Sequence, residues 1–272
     1  MRKFWVLLAG VLSMGSLSSN EALITPQLCE LLEITHVQCD KTLPSIVEAT
    51  QKFWLRPTGQ ERWEIQERSD PEEQARIVEL CRQIGLFSEV SPQTTHYRYC
   101  CILGAALPTV QKRLQYAAQL WLKGVRFDEL VFLTGDRPLD HRVDRLSLLE
   151  ELPQNETEGM LKIFEVMDLP QEIKDLPLTV IDTPKQPIEQ GLRRPNVSDT
   201  ISCWVGQAPT PGNCLFISNQ PYICYQAAVV RGLMPKTFLS ETVGPTTSIT
   251  PYLRANLLLD TIARWLYQES KN

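Results

Sequence analysis

The sequence lacks the residue spacings that mark common metal, nucleotide and nucleophile sites. Its three histidines are scattered and none of its eight cysteines are spaced C-x-x-C, which excludes the usual zinc-binding patterns. It has no G-x-G-x-x-G loop and no Walker loop, so NAD, FAD and ATP are not expected in their usual binding modes. A G-x-S-x-G nucleophile elbow is also missing. We therefore expect no metal and no cofactor, and the sequence leaves open whether the protein is an enzyme.

The chain also lacks an excess of basic residues. Lys and Arg number 27 against 32 Asp and Glu, a net charge of −5, whereas nucleic acid binding usually needs a basic surface. Apolar residues make up 43% of the 272 residues and charged residues 22%, which is typical of a folded globular protein. No stretch after residue 20 resembles a membrane span. We expect neither nucleic acid as a partner nor a membrane span beyond the N-terminal segment.

The N-terminal segment has the order of a secretory signal peptide. Met1-Arg2-Lys3 is basic, residues 4–15 are apolar and uncharged, and the small residues Ser16 and Ser18 follow. The apolar run is shorter than the roughly 20 residues that span a membrane. We therefore predict a cleaved signal peptide over residues 1–18 and export of the protein, to the periplasm or outside the cell. An uncleaved N-terminal anchor and a buried first helix are the alternatives.

Residues 19–95 have the pattern of a helical N-terminal region. Apolar residues recur every three or four positions over residues 27–34, 43–55 and 71–85. The last of these has the clearest ends, because Asp70 precedes a proline at the first helical position and Gly85 follows the last turn. The pattern does not decide between a separate lobe and a packed layer. Residues 23–95 are also the part of the chain through which a protein partner could bind.

From residue 96 onward, short buried strands alternate with helices. Residues 99–104 and 130–135 are apolar runs typical of strands buried on both faces, and residues 109–124 between them have helical periodicity. Further strands are predicted at 178–182, 214–218 and 237–243, and further helices at 157–167, 198–205, 221–232 and 251–268. This alternation predicts an α/β fold with a doubly wound, mostly parallel five-stranded sheet and an N-terminal helical extension. The Rossmann-like domain would occupy residues 96–272.

Polar residues follow three of the predicted strands at their carboxyl ends, where doubly wound sheets bind ligands. Arg113 lies near the start of the helix after the first strand, and Glu156 begins a later helix, so both side chains can reach the same edge. We therefore predict a ligand-binding cleft formed by Gly104, Arg113, Gly135, Asp136, Arg137, Glu156, Ser218 and Asn219. A solvated turn with internal salt bridges is the alternative explanation for these charges.

Residues 97–268 resemble the SanA/ElyC/YdcF family, a group of bacterial proteins of unsettled function that are often exported or membrane-anchored. The similar positions are Ile102-Leu103-Gly104-Ala105-Ala106, Arg113, Leu133-Thr134-Gly135-Asp136, Glu156 before Met160, Asp199-Thr200 and Ile217-Ser218. The chain departs from the family pattern after the fourth strand, where Tyr222 and either Tyr225 or Gln226 stand in place of His and Arg. Without that histidine, the site has no imidazole that would titrate near neutral pH and could act as a general acid or base.

The resemblance implies a Rossmann-like, exported protein of unsettled activity with a role in the cell envelope. It would bind a small ligand, with or without a phosphate group, at the carboxyl ends of the sheet. The alternative is a secreted interaction or effector-like protein that uses the α/β domain as a scaffold, and a hydrolase or transferase with Asp136 or Glu156 as base is a third. A large apolar patch on residues 23–95 would favour an interaction protein, whereas convergence of the predicted charged residues would favour ligand binding.

Overall fold

The alternating strands and helices of the sequence form a single parallel sheet with helices on both faces. The computed structural model describes residues 23–189, 191–248 and 254–272, so the predicted signal peptide lies outside the described residues. In chain order the elements are α1 (Pro26–Ile34), α2 (Leu43–Phe53), α3 (Pro71–Ile84), β1 (His96–Leu103), α4 (Leu107–Leu122), β2 (Arg126–Gly135), α5 (Glu156–Val166), α6 (Gln171–Lys174), β3 (Leu178–Thr183), β4 (Gln186–Ile188), β5 (Gly191–Arg193), α7 (Val197–Gly206), β6 (Asn213–Ile217), α8 (Ile223–Leu233), β7 (Leu239–Val243) and α9 (Ala255–Glu269).

The main sheet has the strand order β3-β2-β1-β6-β7, and every neighbouring pair is parallel. The chain runs outward from β1 to β3, then crosses back over β1 to β6 and β7. This reversal makes the border between β1 and β6 the topological switch point, and doubly wound sheets have their ligand crevice there, beyond the carboxyl ends of the strands. The prediction of a doubly wound α/β fold is confirmed.

Side-chain alternation along β1 divides the core into two layers. Cys100 and Ile102 pack with α4 and α5 on one face of the sheet, whereas Cys101 and Leu103 pack with α7 and α8 on the other. All four side chains are fully buried. Because β1 is covered on both faces and hydrogen-bonded on both edges, it is the centre of the fold, and the residues that follow it are rigidly held.

The N-terminal helices pack onto the C-terminal helix. Leu31 of α1, Ile46 of α2 and Leu80 of α3 share one hydrophobic cluster with Leu258 and Ile262 of α9. Of the residues between 23 and 95 whose side chains are described, Phe53 alone is a strongly exposed large hydrophobic residue. The described part of this region therefore does not present the large apolar patch that an interaction surface would need.

A polar connection reinforces that contact. Asp260 of α9 is almost fully buried and accepts hydrogen bonds from the backbone N–H of Arg56 at 3.1 Å and from its guanidinium at 3.0 Å. Arg264 donates to the same carboxylate. Further along, Val90 forms an isolated antiparallel bridge with Gly244, just beyond the end of β7. The helical region is thus tied to the carboxyl edge of the sheet as well as to α9.

Several elements differ from the sequence-based expectation. The β4–β5 hairpin, the short α6 and a 3-10 turn at Arg62–Glu64 were not predicted, because three- or four-residue elements are too short to show periodicity. The helix predicted from residue 221 begins at Ile223, since the backbone N–H of Tyr222 closes a turn on the carbonyl of Asn219. The helix predicted from residue 251 has its start outside the described residues, and its described part is α9.

Candidate functional site

A buried arginine lies at the switch point between β1 and β6. Arg113 is in the second turn of α4 and is only 1% exposed. Its Nη1 donates to the carbonyl oxygens of Leu103, at 2.5 Å, and Gly104, at 3.0 Å, directly after β1. Its Nε and Nη2 donate to Oδ1 of Asn219, after β6, at 3.0 and 2.6 Å. One guanidinium therefore joins the ends of the two strands that border the crevice.

All of these acceptors are neutral, which makes the environment of Arg113 unusual. Burial lowers the pKa of Arg113 to about 9, and the charge of Glu156 opposes this shift. A buried charge normally has a hydrogen-bonded counter-ion, because the cost of desolvation is otherwise large. Within the described part of the chain no carboxylate is hydrogen-bonded to Arg113. The switch point thus holds a positive charge whose direct partners do not neutralise it.

A second arginine, next to this one, is paired twice. Arg137 donates from Nη1 and Nη2 to Asp144 at 2.8 and 2.9 Å, and from Nε to Glu156 at 2.6 Å. It also donates to the carbonyl of Ala105 at 3.1 Å. Asp144 is fully buried and accepts a hydrogen bond from the backbone N–H of Leu107, the first residue of α4. The segment between β2 and α5 is therefore folded back over the start of α4.

The two carboxylates of this group respond differently to burial. Burial tends to raise the pKa of Asp144, but the Arg137 guanidinium and the backbone N–H groups of Asp140 and Leu107 hold it below the ordinary value. Burial raises the pKa of Glu156, with the charges of Arg137 and Arg113 acting against the shift. Glu156 is therefore the group in this cluster that takes up a proton more easily than usual. Raised carboxyl pKa values of this kind are frequent at functional sites.

Glycine is required at position 104 by a close approach. A Cβ atom there would collide with Oε1 of Glu156 and would lie 2.8 Å from the carbonyl oxygen of Leu133. The absence of a side chain lets the Glu156 carboxylate lie against the backbone immediately after β1. Glu156 thus lies between the two arginines, within electrostatic reach of Arg113 and hydrogen-bonded to Arg137.

The structure brings five of the eight predicted site residues together: Gly104, Arg113, Arg137, Glu156 and Asn219. It places the other three elsewhere. The carboxylate of Asp136 faces Lys185, 3.8 Å from its Nζ, and Gly135 lies against the ring of Pro195. Ser218 is fully buried and donates its hydroxyl hydrogen to the side chain of Gln226. Successive residues of an extended chain point in opposite directions, so Asp136, next to Arg137, and Ser218, next to Asn219, are turned away.

Two further charged residues belong to this edge and were not identified from the sequence. Asp144 lies in the charge-rich segment after β2, and the sequence of that segment does not distinguish this buried aspartate from its exposed charged neighbours. Arg62, from the 3-10 turn of the helical region, has its guanidinium carbon 4.3 Å from the centroid of the Tyr222 ring. No local signal indicates this contact, because the two residues are far apart in the chain.

A cavity of about 790 Å³ lies beside the charged group, and Asp144 is part of its wall. The other lining residues come from the same segment between β2 and α5, among them His141, Arg145, Leu146, Leu149 and Leu152. This space is half open and of ligand size, and its lining does not include Gly104, Arg113, Arg137, Glu156 or Asn219, so it adjoins the charged group without being formed by it.

Comparisons with known proteins leave the chain without a relative from which a role could be transferred. No family model matches it, and no curated protein and no solved structure is detectably similar to it. In residues 23–189, 191–248 and 254–272, no helix has the length and apolar character needed to cross a membrane. What can be said of function therefore depends on the geometry of the site.

Proposed function

We propose that the protein is an exported, SanA/ElyC/YdcF-like protein that binds a small anionic ligand, carrying a phosphate group, at the carboxyl ends of its sheet. Its role would be in the cell envelope. The observation that supports this most is Arg113, a fully buried guanidinium at the switch point whose hydrogen-bond acceptors are neutral. A bound anion would supply the missing negative charge, and of the five guanidinium N–H groups the second one on Nη2 is left, among the described residues, to donate to it.

Two other features agree with a binding role. Gly104, Asn219 and Tyr222 are partly exposed at this edge, so residues next to the buried arginine can be reached from solvent. The position where the resembling family has histidine is occupied by Tyr222, so the proposal is for binding and assigns no reaction. The alternative role as an interaction protein has less support, because the apolar faces of α1–α3 are buried against α9.

Ligand binding is tested by thermal shift with a panel of phosphorylated metabolites, on the wild type and on Arg113→Lys. A ligand at about 100 times its Kd stabilises a protein by about 2.7 kcal/mol, which raises the Tm of a domain this large by about 5–10 °C. We expect that rise in the wild type and little or none in Arg113→Lys, because lysine cannot keep four hydrogen bonds and a fixed orientation.

Arg126→Lys is the matched control for that measurement. Like Arg113, Arg126 donates to backbone carbonyls, but it lies at the amino end of β2, the opposite edge of the sheet. It should respond to the ligand as the wild type does. A ligand that shifts Arg113→Lys as much as the wild type, or a complete panel without any shift in the wild type, would contradict the proposed site.

Export is tested separately, by N-terminal sequencing of the protein from its native host. The expected mature chain begins after Ser18, because the basic start, apolar core and small residues of the first 18 positions match the pattern that signal peptidase cleaves. An intact Met1 on protein recovered from the cytosol would contradict export and would leave the ligand site unaffected.

A further inference from the structure

The helical region contributes a cation to the switch point. Arg62 begins a 3-10 turn that is fixed by a capping box between Glu61 and Glu64. Glu61 also pairs with Arg194 at 2.9 Å, just before α7, so the turn is anchored to the α/β domain. The Arg62 guanidinium lies over the ring of Tyr222, a cation–π contact that holds it at the carboxyl edge of the sheet.

Arg62 and Arg113 are close enough to influence each other. Arg62 lies over the ring of Tyr222, whose backbone N–H donates to the carbonyl of Asn219, and the Asn219 side chain accepts from Arg113. Burial is the main cause of the lowered pKa of Arg113, and the charge of Arg62 adds to it. Burial alone would lower the pKa of Arg62, but the neighbouring Tyr222, Asp260, Tyr225 and Glu61 raise it, so its guanidinium is held in the charged form. Arginine is over-represented where proteins bind phosphate or carboxylate groups, and two guanidinium groups at one edge offer donors from two directions.

The nearby carboxylates are already engaged by other cations. Glu61 pairs with Arg194, and Asp260 is shared by Arg56 and Arg264. Within the residues that the structure describes, Arg62 forms no ion pair of its own. Of the three guanidinium groups near the switch point, that of Arg137 pairs with Asp144 and Glu156, that of Arg113 donates to neutral acceptors, and that of Arg62 lies over the ring of Tyr222. The group therefore has a net positive charge, and it rises further if Glu156 takes up a proton.

We propose that Arg62 and Arg113 together bind the terminal phosphate of a phosphate monoester, so that the helical region is part of the ligand site. This inference rests on the proposed function and adds both a residue and a ligand class to it. A terminal phosphate carries close to two negative charges at neutral pH and has three free oxygens, enough to accept from two guanidinium groups at once. Arg62 is partly exposed and Arg113 is not, so the phosphate meets Arg62 on its way in from solvent.

Isothermal titration with methyl phosphate, dimethyl phosphate and acetate tests the residue and the ligand class together. We expect the wild type to bind methyl phosphate at least 10-fold more tightly than either singly charged probe. Arg62→Ala should lose about 10-fold or more in affinity for methyl phosphate, which is the usual effect of removing a charged hydrogen-bond donor. The affinity of Arg62→Lys for methyl phosphate should lie between those of the wild type and Arg62→Ala, because lysine keeps the charge over Tyr222 but lacks the planar pair of N–H donors of a guanidinium group.

Arg76→Ala is the matched control, since Arg76 of α3 pairs with Glu30 at the surface. It should bind methyl phosphate like the wild type. If Arg62→Ala also binds like the wild type while Arg113→Lys does not, the role of Arg62 is overturned and the proposed function stands. Equal binding of methyl phosphate and dimethyl phosphate overturns the ligand class. No binding of any of the three probes by the wild type overturns both proposals.

Discussion

Replacing Ile102 by aspartate is expected to abolish the folded state. Ile102 is fully buried in β1, the central strand, between β2 and β6. A carboxylate there would have no counter-ion and would have to be ionised at a cost of several kcal/mol or be protonated. That cost is comparable to the whole stability of a typical domain. Circular dichroism should show no cooperative melting transition for Ile102→Asp.

The same substitution at an exposed isoleucine provides the control. Ile188, on the β4–β5 hairpin, is 50% exposed, and the change to aspartate there should leave the Tm within a few degrees of the wild type. If Ile102→Asp melts cooperatively and close to Ile188→Asp, then β1 is not the core strand of the fold.

Replacing Arg137 by methionine should be the next most damaging change. Arg137 neutralises Asp144, which is fully buried, and Glu156, which is nearly so. Removing one partner of a buried ion pair costs about 3–5 kcal/mol, because the other partner is left as an uncompensated charge. Here two carboxylates lose the guanidinium at once. Urea unfolding should show this loss as a lower midpoint with an unchanged slope.

The cause of that loss can be separated from the loss of packing. Adding Asp144→Asn and Glu156→Gln to the Arg137→Met background removes both stranded charges and should recover part of the stability. Arg231→Met is the surface control, since Arg231 is 57% exposed and pairs with Glu269. It should change the free energy of unfolding by about 1 kcal/mol or less. Equal losses for Arg137→Met and Arg231→Met would show that the Arg137 cluster contributes no more than a surface ion pair.

The strands and helices of the α/β domain could be predicted from the sequence because each carries its own local pattern. The run at residues 99–104 is apolar throughout, as a strand covered on both faces must be, and it lies within three residues of the limits of β1. Both ends of α3 could also be predicted, because capping residues mark them. The carboxylate of Asp70 accepts a hydrogen bond from the backbone N–H of Glu72 at the start of the helix, and Gly85 ends it. Local signals of this kind do not depend on the rest of the chain.

The site was only partly predictable, since it depends on contacts between distant segments. Strand ends indicated the correct edge of the sheet, but not which of two successive residues faces the crevice. Asn219 and Arg137 face it, whereas Ser218 and Asp136 do not. Arg62 reaches the edge only because the helical region packs against the domain, and no periodicity or motif encodes that packing.

The contact between the N-terminal helices and α9 also constrains the order in which the chain can fold. Hydrogen bonds join Gln51 to the carbonyl of Ala263 and Arg56 to Asp260, pairs that are more than 200 positions apart. During synthesis α1 and α3 can pack on each other, but the part of their shared cluster that α9 supplies is missing until the last helix is made. Such long-range contacts form late, because closing the loop costs entropy before any contact repays it. The hydrophobic cluster that these helices share with α9 is therefore completed only after the last helix has been made.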